Sequence, residues 1–238
     1  MADDAMWLLL PGTPLTPEVW DGLRLTLERF HPVAAPVLPR PSAAVGAQAE
    51  IARGVLREVG HLAQRFHVVG HSFGGQVALE LAFGAAQRVA SLTVLCSRAS
   101  PFPPFSATAA ALRRGDPVDV DATIGRWFLP DEIAADGPVV RYARRCLEQA
   151  DRNLWSDELE AIAVYDRRTD LSSITVQTSI IASEFDKVGT PEQMAAMASA
   201  IPASRFERVA NASHMSQFTD PVALADRILS VPHAHAQL

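Results

Sequence analysis

The chain has 238 residues, 48% of them hydrophobic and 20% charged, with a formal net charge of −6 at pH 7. This composition suits one folded domain, or a core carrying one large insertion, and excludes general disorder. The acidic balance argues against nucleic acid as a partner, because phosphate binding needs a concentrated positive field. Two cysteines, Cys96 and Cys146, are too few for a disulfide framework or a structural zinc site, and they fit a reduced setting. No stretch approaches the roughly 18 apolar residues of a membrane span. The short apolar run at 6–10 follows acidic residues, not a basic leader region. The expectation is a cytoplasmic protein with no cofactor, no metal and no membrane partner.

The first third alternates strand and helix patterns. Residues 7–10 read as a short strand ending at Pro11-Gly12. Val19, Leu23, Leu27 and Phe30 have helical spacing over 19–30. A weak strand at 33–38 runs into Pro39 and Pro41. Ile51, Val55, Val59, Leu62 and Phe66 form one stripe of a helix spanning 47–66. A strand at 67–69, a helix at 75–83 and a strand at 92–96 follow. From residue 99 the alternation stops. Pro101, Pro103 and Pro104 open a stretch that is helical throughout, without clear strands. Alternation resumes with a strand at 176–182, a helix at 191–201, a strand at 205–209 and a helix at 221–229. The tail from His233 reads as frayed, with His233 and His235 solvated rather than metal-bound. Such alternation implies crossover units and an α/β fold with a mostly parallel sheet. The core is assigned to 1–98 and 170–238, and 99–169 to a helical cap inserted after the strand ending near Cys96.

The sharpest motif is Gly70-His71-Ser72-Phe73-Gly74-Gly75, a G-x-S-x-G between a predicted strand and a predicted helix. A serine on so tight a turn sits at strained backbone angles. The residues two before and two after it must be small to avoid collision. Gly70 and Gly74 meet that demand, and Ser72 then projects above the carboxyl edge of the sheet. A glycine-rich turn with a serine N-cap would share these letters, so Ser72 needs a partner base. His214 has the right place, on the loop after the 205–209 strand. The imidazole in turn needs a carboxylate to fix its tautomer. Asp186 follows the 176–182 strand, with Glu184 as runner-up. The chain order Ser72, Asp186, His214 is the one expected of α/β-hydrolases. Two backbone N–H groups are required for an oxyanion. Phe73 supplies one, and Thr13 the other, unless Leu10–Pro14 is a plain Pro-Gly turn.

On these motifs the chain resembles the α/β-hydrolase superfamily over nearly its whole length. Residues 70–75 look like its nucleophile elbow, 183–191 like its acid loop and 211–221 like its histidine loop. Within the superfamily it is similar to the small esterase, lactonase and haloperoxidase-like group. Arg126-Trp127-Phe128, with Asp170-Leu171, is similar to 3-oxoadipate enol-lactonases. The resemblance implies an α/β-hydrolase fold and a serine hydrolase acting through an acyl-enzyme on a small carboxylic ester, thioester or lactone. Other chemistries on the same triad are C–C bond hydrolysis, a lyase reaction and perhydrolysis. A slow-turnover ligand receptor of the same fold is the alternative from another class. The chain departs from the family in carrying Pro11-Gly12 where His-Gly is usual, and in having Leu38–Ala43 where an Asp-x-x-Gly-x-Gly-x-Ser loop is usual. Trp127, Phe128, His71 and Phe105 are the candidate substrate contacts. Phe102 and Trp155 are further candidate wall residues, although aromatics at helical spacing also serve as cap core.

Overall fold

The computed structural model describes residues 5–230. Among them six strands form one sheet: β1 (Ala5–Leu10), β2 (Val33–Ala34), β3 (Arg65–His71), β4 (Val89–Leu95), β5 (Thr178–Ser183) and β6 (Ser204–Val209). Their order is β2-β1-β3-β4-β5-β6, and every pairing is parallel. The inner strands are buried along nearly their whole length because helices cover both faces. Leu8, Leu9 and Leu10 of β1, Val69 of β3 and Leu92 of β4 are fully buried.

The crossovers are α1 (Asp21–Leu27), α2 (Ala47–Val59), α3 (Phe73–Gly84) and α9 (Pro191–Ala200), and α10 (Pro221–Leu229) follows β6. Between β4 and β5 the chain instead makes five consecutive helices. These are α4 (Pro104–Arg114), α5 (Val120–Trp127), α6 (Pro130–Ala135), α7 (Pro138–Gln149) and α8 (Arg152–Val164). The chain leaves β1 toward β2 on one side and leaves β3 toward β4 on the other. The strand order therefore reverses between β1 and β3, and the crevice of an open parallel sheet lies at the carboxyl ends of such a pair. Pro11-Gly12-Thr13 and His71-Ser72-Phe73 occupy those two ends.

Three elements differ from the sequence expectation. The helix expected over 47–66 stops at Val59, and Phe66 is a buried residue of β3. Leu62 continues the stripe by spacing but lies exposed in the connecting turn. The strand expected over 33–38 shrinks to Val33–Ala34. Pro36, Pro39 and Pro41 offer no ladder N–H, and they leave an extended segment instead. The pattern at 19–30 divides into a 3₁₀ turn, Pro17–Trp20, and the short α1. His233 and His235 lie outside the described residues.

The return from α8 to the sheet is fixed by an ion pair. Arg167 Nε and Nη2 donate to the buried Glu80 of α3, at 2.7 and 3.0 Å, and Tyr165 Oη donates to the same carboxylate at 3.1 Å. Arg167→Met should leave Glu80 buried with a single hydroxyl donor. The loss should be about 2–3 kcal/mol, below that for a fully buried pair because Arg167 is 38% exposed. A fall in the urea midpoint at unchanged m-value is the expected result.

Candidate active site

Ser72 joins β3 to α3 at φ 51°, ψ −117°, a left-handed conformation that a non-glycine residue adopts only under constraint. Its N–H donates to Leu95 O of β4 at 2.9 Å, and its carbonyl accepts from Ser97 Oγ at 2.6 Å. Steric demand enforces the turn. A Cβ on Gly70 would stand 2.3 Å from Gly74 O, and a Cβ on Gly74 would stand 2.2 Å from Leu10 O. Only glycine at both positions lets α3 start this close to β3 and β1. Phe73 is the first residue of α3, so its N–H belongs to the group with no intrahelical acceptor.

The loops after β5 and β6 are cross-linked by their backbones. Glu184 N–H donates to Val209 O at 3.0 Å and Phe185 N–H to Ala212 O at 2.8 Å. Asp186 turns inward, where its Oδ1 accepts from the N–H groups of Val188 and Gly189 at 2.8 and 3.2 Å. Its Oδ2 lies 2.8 Å from His214 Nδ1. Both residues are buried. Burial works to raise the Asp186 pKa, but His214 and the two backbone donors outweigh it and hold the carboxyl below its ordinary value. With Nδ1 committed to the carboxylate, Nε2 is the nitrogen available for chemistry. Glu184 faces the other way, with its carboxylate on Arg208 and on Asn211 N–H.

The helices after β4 brace these loops. Met215 N–H donates to Trp127 O at 2.8 Å, and Ser213 Oγ to Arg126 O at 3.0 Å, so the end of α5 holds the His214 loop. Arg98 does the same for the acid loop. Its guanidinium donates to Val188 O, Ser100 O and Pro101 O at 2.7–2.8 Å and stacks over Phe102. Burial pulls the Arg98 pKa down to about 10, against the opposing pull of Asp186.

Thr13, Ser72, Asp186 and His214 line one cavity of about 410 Å³. Its walls come from α4, α5 and α8, with Phe102, Phe105, Trp127 and Trp155 facing in, while Arg126 and Lys187 reach it from exposed positions. Phe105 and Trp127, candidate substrate contacts from the sequence, line this cavity. Phe128 does not line the cavity, because it follows the turn ending α5 and is buried in the apolar core. His71 does not line it either. It is buried beneath the elbow, where Nε2 donates to the His214 carbonyl at 3.1 Å and the ring packs on Phe218. Facing a carbonyl, Nε2 must carry the proton. Burial and the neighbouring His214 press the His71 pKa down to about 3, so the ring is neutral.

Sequence reasoning missed Arg98, Lys187 and Glu158 of α8. Glu158 is buried and accepts a hydrogen bond from Thr13 Oγ1. Its signal was present: it lies at helical spacing among Trp155, Leu159 and Ile162, an acid on an apolar face.

Residues 7–227 match the family model described as the alpha/beta hydrolase family. RutD of Pseudomonas syringae pv. syringae (strain B728a), a proposed carbamate hydrolase, is 29% identical over 67% of this chain. The 3-oxoadipate enol-lactonase 1 of Acinetobacter baylyi is 30% identical over 66% of it. The matches span 64% and 60% of those relatives' own lengths. Among solved structures, a hydrolase from Pseudomonas aeruginosa PA01 superposes with a TM-score of 0.84 at 24% identity, covering 96% of this chain and 89% of that one. The enol-lactonase from Burkholderia xenovorans LB400 has a TM-score of 0.84 at 20% identity, covering 95% and 90%. At those identities the two structures speak for the fold. No described helix is long and apolar enough to cross a membrane.

The steric account of the elbow makes a direct prediction. Gly74→Ala should destabilise the protein by about 3 kcal/mol or more, because the new methyl meets backbone atoms that cannot rotate away. Gly84→Ala, where a Cβ meets nothing within 4 Å, should be neutral or slightly stabilising in the same denaturation assay.

Proposed function

The chain belongs to the alpha/beta hydrolase family, and on that premise we propose that it is a serine hydrolase with Ser72 as nucleophile, His214 as base and Asp186 as the carboxylate that orients it. The observation that carries this reading is the buried 2.8 Å contact between His214 Nδ1 and Asp186 Oδ2, in a cavity shared with a serine held on a strained turn. His214 Nε2 takes the Ser72 proton as Oγ attacks a carbonyl carbon. The N–H groups of Phe73 and Thr13 receive the oxyanion. The imidazolium returns the proton to the leaving oxygen or sulfur. A water deprotonated by His214 then releases the acid from Ser72. Asp186, kept ionised by its donors, stabilises the imidazolium in both steps.

In this reading α4–α8 form a cap over the core of residues 1–98 and 170–238. A cavity of about 410 Å³ walled mainly by aromatic and aliphatic side chains suits the acyl part of a small ester, thioester or lactone. The similarity to an enol-lactonase supports the same class of substrate.

A fluorophosphonate probe followed by intact-mass analysis tests the assignment. One adduct per chain is expected, absent from Ser72→Ala. Asp186→Asn should lower kcat/KM for p-nitrophenyl esters by about 10⁴-fold, because the amide no longer stabilises the imidazolium or the correct tautomer. Folded protein that takes no adduct would overturn the reading and favour a ligand receptor.

A further inference from the structure

Glu158 contacts Thr13, a residue of the proposed machinery, and the reaction above gives it no role. It sits on α8, and its carboxylate accepts a hydrogen bond from the Thr13 hydroxyl. Thr13 lines the cavity that holds Ser72, Asp186 and His214, whereas Glu158 does not. Glu158 faces a separate crevice of about 160 Å³ between α8 and residues 11–17. It therefore meets Thr13 from α8 without itself lining the cavity that Ser72, Asp186 and His214 share. We propose that Glu158 is a positioning residue that ties the oxyanion loop to α8, and that its ionisation sets the alkaline limit of turnover.

The effect of Glu158 is electrostatic and rests on the serine-hydrolase reading. Attack by Ser72 places a negative charge on the carbonyl oxygen, beside the Thr13 N–H. A second negative charge one side chain away, in a water-poor site, opposes that change. A neutral carboxyl in the same place still anchors the Thr13 hydroxyl without the repulsion. Other charges near Glu158 are Asp157 on α8, Asp151 at its N-cap and Arg40 on the segment between β2 and α2. Asp151 and Asp157 raise its affinity for a proton and Arg40 lowers it, with Arg40 itself paired to Asp151 at 2.6 Å. From α4, Arg113 is occupied by Asp157 at 3.2 Å and Glu160 at 3.7 Å. Across the cavity stand Asp186, His214 and Lys187. Burial is the largest effect, and against the Thr13 hydrogen bond it raises the Glu158 pKa to about 7. The acid is thus protonated below neutral pH and ionises as pH rises through about 7. Turnover falls over that interval.

The pH profile of kcat for a p-nitrophenyl ester provides the test, with Ser72→Ala run first to establish that turnover depends on Ser72. The parent should lose about fivefold or more in kcat between pH 7 and pH 8.5, with a smaller change in KM. Glu158→Gln keeps an acceptor for Thr13 and cannot ionise, so its ratio between these pH values should fall below about twofold. Thr13→Val removes the hydrogen bond that favours the carboxylate, and should move the alkaline limb to higher pH. An unchanged alkaline limb in Glu158→Gln overturns the proposal while leaving the Ser72 assignment intact. Should Glu158→Gln fold poorly, a Thr13→Val limb that stays in place or moves to lower pH overturns it equally. Turnover that persists in Ser72→Ala would instead strike at the hydrolase reading itself.

Discussion

Ser72 occupies its strained conformation because two glycines allow three backbones to meet. Leu10 O, Gly74 and Gly70 stand so close that no side chain fits between them. This contact brings α3 against β3 and β1 at the point where the strand order reverses. It also fixes the direction of the serine side chain and exposes the first N–H of α3 beside it. The remaining features of the site are built around that fixed point. Backbone strain of this kind costs of order 1–3 kcal/mol and persists only where the surroundings over-determine it. Here they do so through the Leu95 and Ser97 hydrogen bonds and the packed apolar strands.

The acid and histidine loops lie on less regular backbone, and their positions depend on bracing. Each is tied to the other by backbone hydrogen bonds and to the five-helix segment by further ones. Arg98 reaches the acid loop through Val188 O, while Trp127 O and Arg126 O receive donors from the histidine loop. His71 adds a donor to the His214 carbonyl from below. The end of α5 therefore both walls the cavity and holds the loop that carries His214. A change in α5 or at Arg98 should be felt at His214 and Asp186 as well as in substrate selection. Glu158 of α8 likewise accepts a hydrogen bond from Thr13, in the turn after β1.

Much of the site was legible in the sequence because its demands are local. Gly70-x-Ser72-x-Gly74 is a steric requirement written in adjacent letters. Asp186 and His214 were identified by their place after successive late strands, which parallel topology brings side by side. The strand and helix patterns of the core were legible wherever one face meets apolar neighbours. The failures occur where tertiary contacts decide. Phe66 continues a helical stripe in spacing, yet β3 claims it. His71 and Phe128 have the chemistry of substrate contacts, but their backbones direct them into the interior. The roles of Arg98 and Glu158 depend on partners 90 and 145 residues away in sequence. No local pattern encodes those pairings. For Glu158 only the oddity of an acid on an apolar helix face hinted at one.

The central claim is that Ser72 carries the acyl group between two chemical steps. Rapid-quench mass spectrometry of the unmodified protein with a p-nitrophenyl ester addresses it most directly. The account predicts an acylated peptide containing Ser72 that rises within the first turnover, together with a burst of nitrophenol, and then decays to free enzyme. Turnover without acylation at Ser72, or acylation that maps to another residue, would contradict it.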